Sequence, residues 1–286
     1  MEDVPTAPDE LRVGVADSGE FCCITVRVPE AVALNSLLFQ RRTVEAYGEV
    51  ARLLEGRRAC HPIRFWNFIP QIEQSLGDGM DRYMVFNAGR YAAYIDWYGS
   101  EDVFDRFAAS ATGIGHKGRD LVIHALAADR AGVHLRNPRQ RQPSDYSRGH
   151  GPLPPCFARA TVIQQGHPPL PVVLAAGTAS ICGQESLHAE NLRAQVHETF
   201  DNLANLVRTA TDTCAAADAS PTSDVAVLLH QFRTLRVYYR HREHIDQLKT
   251  LVQASVPQVD KIEFFEAGIC RPELLVEIKG TADVLA

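Results

Sequence analysis

Five arginines, Arg64, Arg90, Arg148, Arg159 and Arg271, stand in apolar or aromatic surroundings. An unpaired guanidinium is costly to bury, so each of them needs an acceptor. Any one alone reads as a structural salt bridge. Five together read as a pocket for a small acid, because a guanidinium grips a carboxylate with two parallel hydrogen bonds. Arg271 lies in Cys270-Arg271-Pro272, and Glu277 follows six residues later. If this stretch turns at a sheet edge, a thiol, a cation and a carboxyl meet there, a set suited to holding an anion and moving a proton. Gly177 to Gly183, Gly-Thr-Ala-Ser-Ile-Cys-Gly, follows an apolar run. It reads either as a backbone that a ligand can approach or as a tight passage from strand to loop. The i, i+3 pair His241/His244 lacks a nearby acidic or cysteine ligand, and there is no Walker-type loop, no G-x-G-x-x-G after a strand and no H-E-x-x-H, so neither a metal nor a cofactor is expected.

The elements that must position these residues follow from periodicity. Leu11–Val15 and Glu20–Val28 read as strands around an Asp-Ser-Gly turn. Ser36 to Leu54 reads as a helix striped by Leu38, Arg42, Ala46, Val50 and Leu54, with Gly56 as its stop. His61 to Pro70 is an aromatic strand with polar residues inside, Met80 to Trp97 is a second helix, and Leu121–Ala127 is another strand. Asn137 to Pro155 holds no long apolar run, and its 19 residues exceed what a compact domain leaves structureless. It is a linker or a functional loop, and it divides residues 1–150 from 151–286.

The second half reads as strands at Arg159–Gln164 and Val172–Ala175 and a long helix striped by Leu192, Val196, Phe200, Leu203 and Val207. A loop at Ala215–Ser223, a short helix near Asp224, a strand at Leu235–Tyr239 and a helix around Leu248 come next. The closing runs Ile262–Phe265 and Leu274–Ile278 read as two antiparallel strands joined by a short connection. This order gives an α+β domain with helices on one face of a mixed sheet. Alternation puts Glu277 and Lys279 on one face and Val276 and Ile278 on the other, so the strand by itself reads as half-solvated. No sequence repeat is visible.

The net charge of −6 argues against a nucleic-acid surface, and no apolar run is long enough to cross a membrane. The acidic start is unlike a secretory signal, and seven cysteines without a C-x-x-C pair suit reduced thiols. A cytoplasmic protein is expected.

Several ordered motifs coincide in this chain: Arg64-Phe65-Trp66-Asn67-Phe68-Ile69-Pro70, Arg82-Tyr83, Phe86-Asn87-Ala88-Gly89-Arg90, Asn137-Pro138-Arg139-Gln140, Tyr146-Ser147-Arg148, Pro155-Cys156-Phe157-Ala158-Arg159-Ala160, Gly177-Thr178-Ala179-Ser180, and Cys270-Arg271 with Glu277. In these the sequence resembles the chorismatases, which act on chorismate in bacterial secondary metabolism. The resemblance implies a C-terminal RidA (YjgF)-like domain behind a related α+β domain, with an N-terminal region shorter than is usual in the family.

It also implies that Glu277 is the acid–base residue. Arg271, with Arg148 or Arg159, would hold the substrate carboxylates, and Tyr146 would contact the ring. Thr178 and Ser180 would supply hydroxyl or backbone donors, and Gly183, Cys156 and Arg90 would complete the binding set. A cysteine at Cys270 goes with members that aromatise the ring, which implies 3-hydroxybenzoate, with 4-hydroxybenzoate beside it in some members. The alternatives are hydrolysis to the dihydroxycyclohexadiene carboxylate, or a RidA-like deaminase or small-acid binding module.

Overall fold

A computed structural model describes residues 10–167, 169–214, 224–259 and 261–284; the acidic start and the passage Ala215–Ser223 lie outside them. The first half runs β1 (Arg12–Asp17), β2 (Phe21–Val28), α1 (Ser36–Leu54), β3 (His61–Pro70), the small hairpin of β4 (Ser75–Gly77) and β5 (Met80–Asp81), α2 (Arg82–Tyr98), α3 (Glu101–Phe107), β6 (Ser110–His116) and β7 (Leu121–Ala128). The second runs β8 (Val133–Leu135), β9 (Ala160–Gln165), β10 (Leu170–Ala179), the hairpin of β11 (Ile181–Cys182) and β12 (Glu185–Ser186), α4 (Leu192–Cys214), α5 (Val225–Leu229), β13 (Phe232–Tyr239), α6 (Ile245–Ser255), β14 (Lys261–Glu266) and β15 (Val276–Asp283). The α+β class and most element positions match the sequence reading.

Local chemistry sets these boundaries. Asn35 caps α1 by accepting from the Leu38 amide, and Asp81 caps α2 by accepting from the Met84 amide at 2.7 Å. Gly99 ends α2 in the left-handed region, at φ 86°. The apolar stripe of α1 meets that of α2 over the first sheet, where Tyr47 and Tyr94 pack edge to face with ring centroids 5.5 Å apart. Helices α4 and α6 cover the second sheet in the same way, through Val196, Phe200, Leu203, Leu248 and Val252.

The two halves share one topology, although no sequence repeat announces it. The first sheet has strand order β1-β2-β7-β3-β6, and the second β14-β13-β15-β10-β9-β8. Each half opens with an antiparallel hairpin, crosses a helix to a strand, crosses a second helix to a parallel edge strand, and returns antiparallel into the centre. On that correspondence β7 matches β15, and β6 matches β14. The strand β8 is an addition that pairs with β9, so the division at residue 150 falls after the second sheet has begun.

One local expectation is corrected. The closing strands do not pair with each other: β13 lies between them, parallel to β14 and antiparallel to β15. The helix α6 carries the chain over the sheet, and such a crossover joins parallel neighbours, so β14 becomes an edge. The segment 267–275 must then run back across the end of β13. It is pinned there by Arg240, whose guanidinium donates to the carbonyls of Ile269, Arg271 and Leu274, and by Gln195 of α4, which donates to Glu273 O and accepts from Leu275 N.

The sheets face each other with their helices outward. Strand β6 is gripped at both ends by loops of the second half, Ala158 N donating to Ala109 O and Gly115 N to Gly268 O at 2.9 Å. A Cβ on Gly115 would lie 2.4 Å from Ile72 Cγ2, so only glycine allows that approach. Among the described residues, no helix is long and apolar enough to cross a membrane.

Candidate active site

Strand β15 carries Glu277 at a position where Val276 and Ile278 are spent on the helix-side core, leaving Glu277 and Lys279 aimed between the sheets. Only 5% of Glu277 is exposed. Its partners across the sheet are Ala179 on β10 and Tyr238 on β13. A register irregularity in β10 between Ala175 and Thr178 bends the strand beside it. Gly177 lies within that bend, and a Cβ there would stand 1.8 Å from Glu277 Oε1. The missing side chain is the space the carboxyl occupies.

Burial pushes the Glu277 carboxyl up to about 7, against the pull of Lys279 and Arg64. Thr112 of β6 organises the floor: its hydroxyl oxygen accepts from Arg64 Nη2 at 2.5 Å and from Gly177 N at 3.1 Å. The carboxyl of Glu277 accepts no hydrogen bond among the described residues. Its proton is therefore available to a ligand.

In front of Glu277 is a cavity of about 230 Å³ between the two sheets. Three of the five singled-out arginines, Arg90, Arg159 and Arg271, line it. Arg271 is held through Nη1 by Gln184 O at 2.7 Å and Ser186 Oγ at 3.0 Å. Arg159 donates from Nη2 to Arg141 O and to the Tyr146 hydroxyl at 2.7 Å. Both guanidinium groups face the Tyr146 ring, at 5.5 Å for Arg271 and 5.7 Å for Arg159. Arg90, buried on α2, donates from Nη2 to Asn87 Oδ1, and its Nε meets no acceptor among the described residues, as does that of Arg159. Three fixed cations around one cavity suit an anion with more than one carboxylate.

Cys270 lines the same cavity, packed with Ala179, Ile181, Ile269 and Leu274. Burial and the nearby Glu277 push its thiol up to about 12, so it is a neutral, apolar wall. The stretch Asn137–Pro155 contributes to the cavity wall: Tyr146, Gly149, His150 and Pro155 line the cavity from it.

Other expected residues lie elsewhere. Arg148 is exposed in the short turn Arg148–His150 and does not line the cavity, whereas Gly149 and His150 do. The Thr178 and Ser180 hydroxyls are spent on the carbonyls of Ala176 and Leu187. Cys156 belongs to the core under the first sheet, and Gly183 forms the β11–β12 turn at φ 59°. None of these five lines the cavity. Sequence reasoning did not single out Gly113 and Tyr83 as site residues. The ring of Tyr83 rests on Gly113, where a Cβ would be 3.0 Å from Tyr83 Cε2, and burial holds the phenol well above its ordinary range. The Arg82-Tyr83 dipeptide at a helix start was the available signal.

The family model described as chorismatase FkbO/Hyg5-like, N-terminal, matches residues 4–127. A 3-hydroxybenzoate synthase of Streptomyces hygroscopicus is 31% identical over 268 residues, which cover 93% of this chain and 74% of that protein. A chorismatase of Streptomyces rapamycinicus is 29% identical over 219 residues, 76% of this chain and 62% of the relative. A chorismatase crystal structure superposes with a TM-score of 0.81 at 24% identity, covering 96% of this chain and 80% of that one. It shares the fold.

Proposed function

The chain belongs to the chorismatase family, and on that premise we propose that it converts chorismate to 3-hydroxybenzoate and pyruvate in the cavity between its sheets, with Glu277 as the acid–base residue. The observation that carries this reading is a buried, protonatable carboxyl facing three arginines across one small cavity. The Glu277 carboxyl and the cations of that cavity have different tasks. Arg271 and Arg159 hold the two carboxylates of the substrate, Tyr146 lies against the ring, and Arg90 supplies positive charge from behind.

Protonated Glu277 delivers its proton to the methylene carbon of the enolpyruvyl ether, turning CH2 into CH3, and as the ring C–O bond breaks and pyruvate leaves, the hydroxyl oxygen on the adjacent ring carbon moves across to the carbon the ether has left. Aromatisation then frees one ring proton, which the Glu277 carboxylate takes back. Substrate and products contain the same atoms, so water has no part in the balance. Cys270 and its apolar neighbours support that outcome by presenting no polar atom that would hold a water against the ring. The division into an N-terminal domain, 1–150, and a RidA-like domain, 151–286, is part of the same reading, with β8 leading into the second. The seven cysteines form no disulfide among the described residues, which favours a reducing, cytoplasmic setting.

Incubating the purified protein with chorismate and separating the aromatic acids by chromatography tests the proposal. We expect 3-hydroxybenzoate as the main product with equimolar pyruvate. A dihydroxycyclohexadiene carboxylate in its place would show hydrolysis, and untouched chorismate would leave only a binding role.

A further inference from the structure

A second cavity, of about 320 Å³, lies between the same two sheets, lined by Arg64, Trp66 and Leu126 from the first half and by Leu174, Arg236 and Lys279 among residues of the second. It is a different space from the catalytic one, since β15 sends Glu277 into the first and Lys279 into the second. Lys279 is 6% exposed, and its Nζ has no hydrogen-bond partner among the described residues; Arg64 is 3% exposed, and its Nη1 has none either. Both cations face the Trp66 ring, Lys279 Nζ at 5.1 Å and Arg64 Cζ at 5.6 Å from its centroid.

The charged neighbours give neither atom an acceptor, although Glu277 attracts both cations through space. On β13 Arg236 is paired with Glu263 of β14, at 3.0 and 2.6 Å from Glu263 Oε2, and Lys261 at the rim adds another cation. Glu277 on β15 itself faces the other cavity. A buried ammonium and a buried guanidinium N–H without acceptors are costly, and one carboxylate placed between them removes both costs. The remaining walls are an indole face, leucine side chains and the hydroxyls of Thr234 and Thr281, which bond to each other, and they suit a flat apolar body better than a phosphate ester or a second charge.

We propose that this cavity is a second ligand site, for a small aromatic monocarboxylate, with the carboxylate between Lys279 Nζ and Arg64 Nη1 and the ring against Trp66 and Leu126. The class includes the aromatic acid of the proposed reaction, a link that rests on that reading; the site itself does not.

Lys279 is one of four lysines, and the other three, Lys117, Lys249 and Lys261, are exposed. Its signal in protein labelled with 13C at lysine Cε can therefore be assigned by replacing the other three with arginine one at a time. Benzoate is the probe, exchanged against chloride at constant ionic strength. Burial places the Lys279 titration at about 6. Saturating benzoate should raise that midpoint by at least about one pH unit, equivalent to roughly tenfold tighter binding to the charged amine. The same rise should occur in Arg271→Ala, or Arg271→Lys if the alanine variant does not fold. A midpoint that benzoate leaves in place, that chloride moves equally, or that moves only while Arg271 is intact would overturn the proposal. Loss of chorismate turnover is read separately, so a failure of either reading is visible without the other.

Discussion

A carboxyl that gives a proton to carbon near neutral pH must still hold that proton there, and Glu277 holds it because β15 buries it in a space the Gly177 backbone leaves open. With the carboxyl titrating at about 7, its acid form is lost as pH rises through that value. The rate kcat/KM should therefore fall about tenfold per pH unit above 8, a slope read directly from a pH–rate profile. Glu277→Gln keeps the shape and removes the proton, so below pH 7, where the parent holds its proton, it should lose at least about 1000-fold in kcat, near the middle of what a positioned acid supplies. A flat profile in the parent enzyme, or a glutamine variant of ordinary rate, removes Glu277 from the chemistry. Cys270 acts at the same scale through bulk and lack of polarity. Cys270→Ala opens room for a water beside the ring, and the product should shift toward the dihydroxycyclohexadiene carboxylate on the same chromatogram. An unchanged ratio assigns the thiol to packing alone.

At the scale of elements, the site depends on a bend in β10 fitting a side chain on β15. Gly177→Ala would put a methyl group where Glu277 Oε1 now lies. The carboxyl must then rotate away, and a misplacement of about 1 Å costs on the order of 100-fold in rate. We expect that loss in kcat with a smaller change in KM, because Arg159 and Arg271 sit on other elements. A variant of parental kcat would mean that the close fit has no catalytic role.

This scale also marks what could be read in advance. The bounds of Ser36–Leu54 were legible because its stop is local, but its buried face begins at Phe39 and Thr43, and Leu38 of the expected stripe is exposed. Arg271, Arg159 and Arg90 were legible because charge in apolar surroundings is visible in sequence, whereas Glu277, which its own strand placed on a half-solvated face, came forward only through the family resemblance. The parallel pairing of β14 was not, since strand order is fixed by the path of α6 and leaves no mark on the strand. Edge strand β6, Ser-Ala-Thr-Gly-Ile-Gly-His, escaped for the opposite reason: its glycines, which look like turn residues, are there so that Tyr83 and the Gly268 backbone can come close. Thr178 and Ser180 show the limit of residue type as a signal, because their hydroxyls are consumed by local carbonyls.

Across the whole molecule, two halves of one topology bury their charged faces against each other, and the cost of that arrangement should appear in stability as a function of pH. Glu277 is raised in the folded chain from an ordinary value of 4.5 to about 7. Between those values the folded state binds more protons than the unfolded one, so this residue's contribution to stability falls as pH rises through the window and is flat above it. The full difference corresponds to roughly 3 kcal/mol, reduced where Lys279 becomes charged and compensates the carboxylate. Lys279 has the opposite slope: its amine is lowered to about 6, so the unfolded chain binds the extra proton and stability gains as pH rises beyond that point. Glu277→Gln abolishes only the first contribution. Its advantage over the parent should therefore be small at pH 5 and grow to a plateau by pH 8, where melting should come several degrees later, at about 2–4 °C per kcal/mol for a chain of this size. Melting curves of the two proteins across that range measure the difference. If it is independent of pH, the carboxyl is not buried between the sheets, and the acid form on which the chemistry depends is not held by the fold.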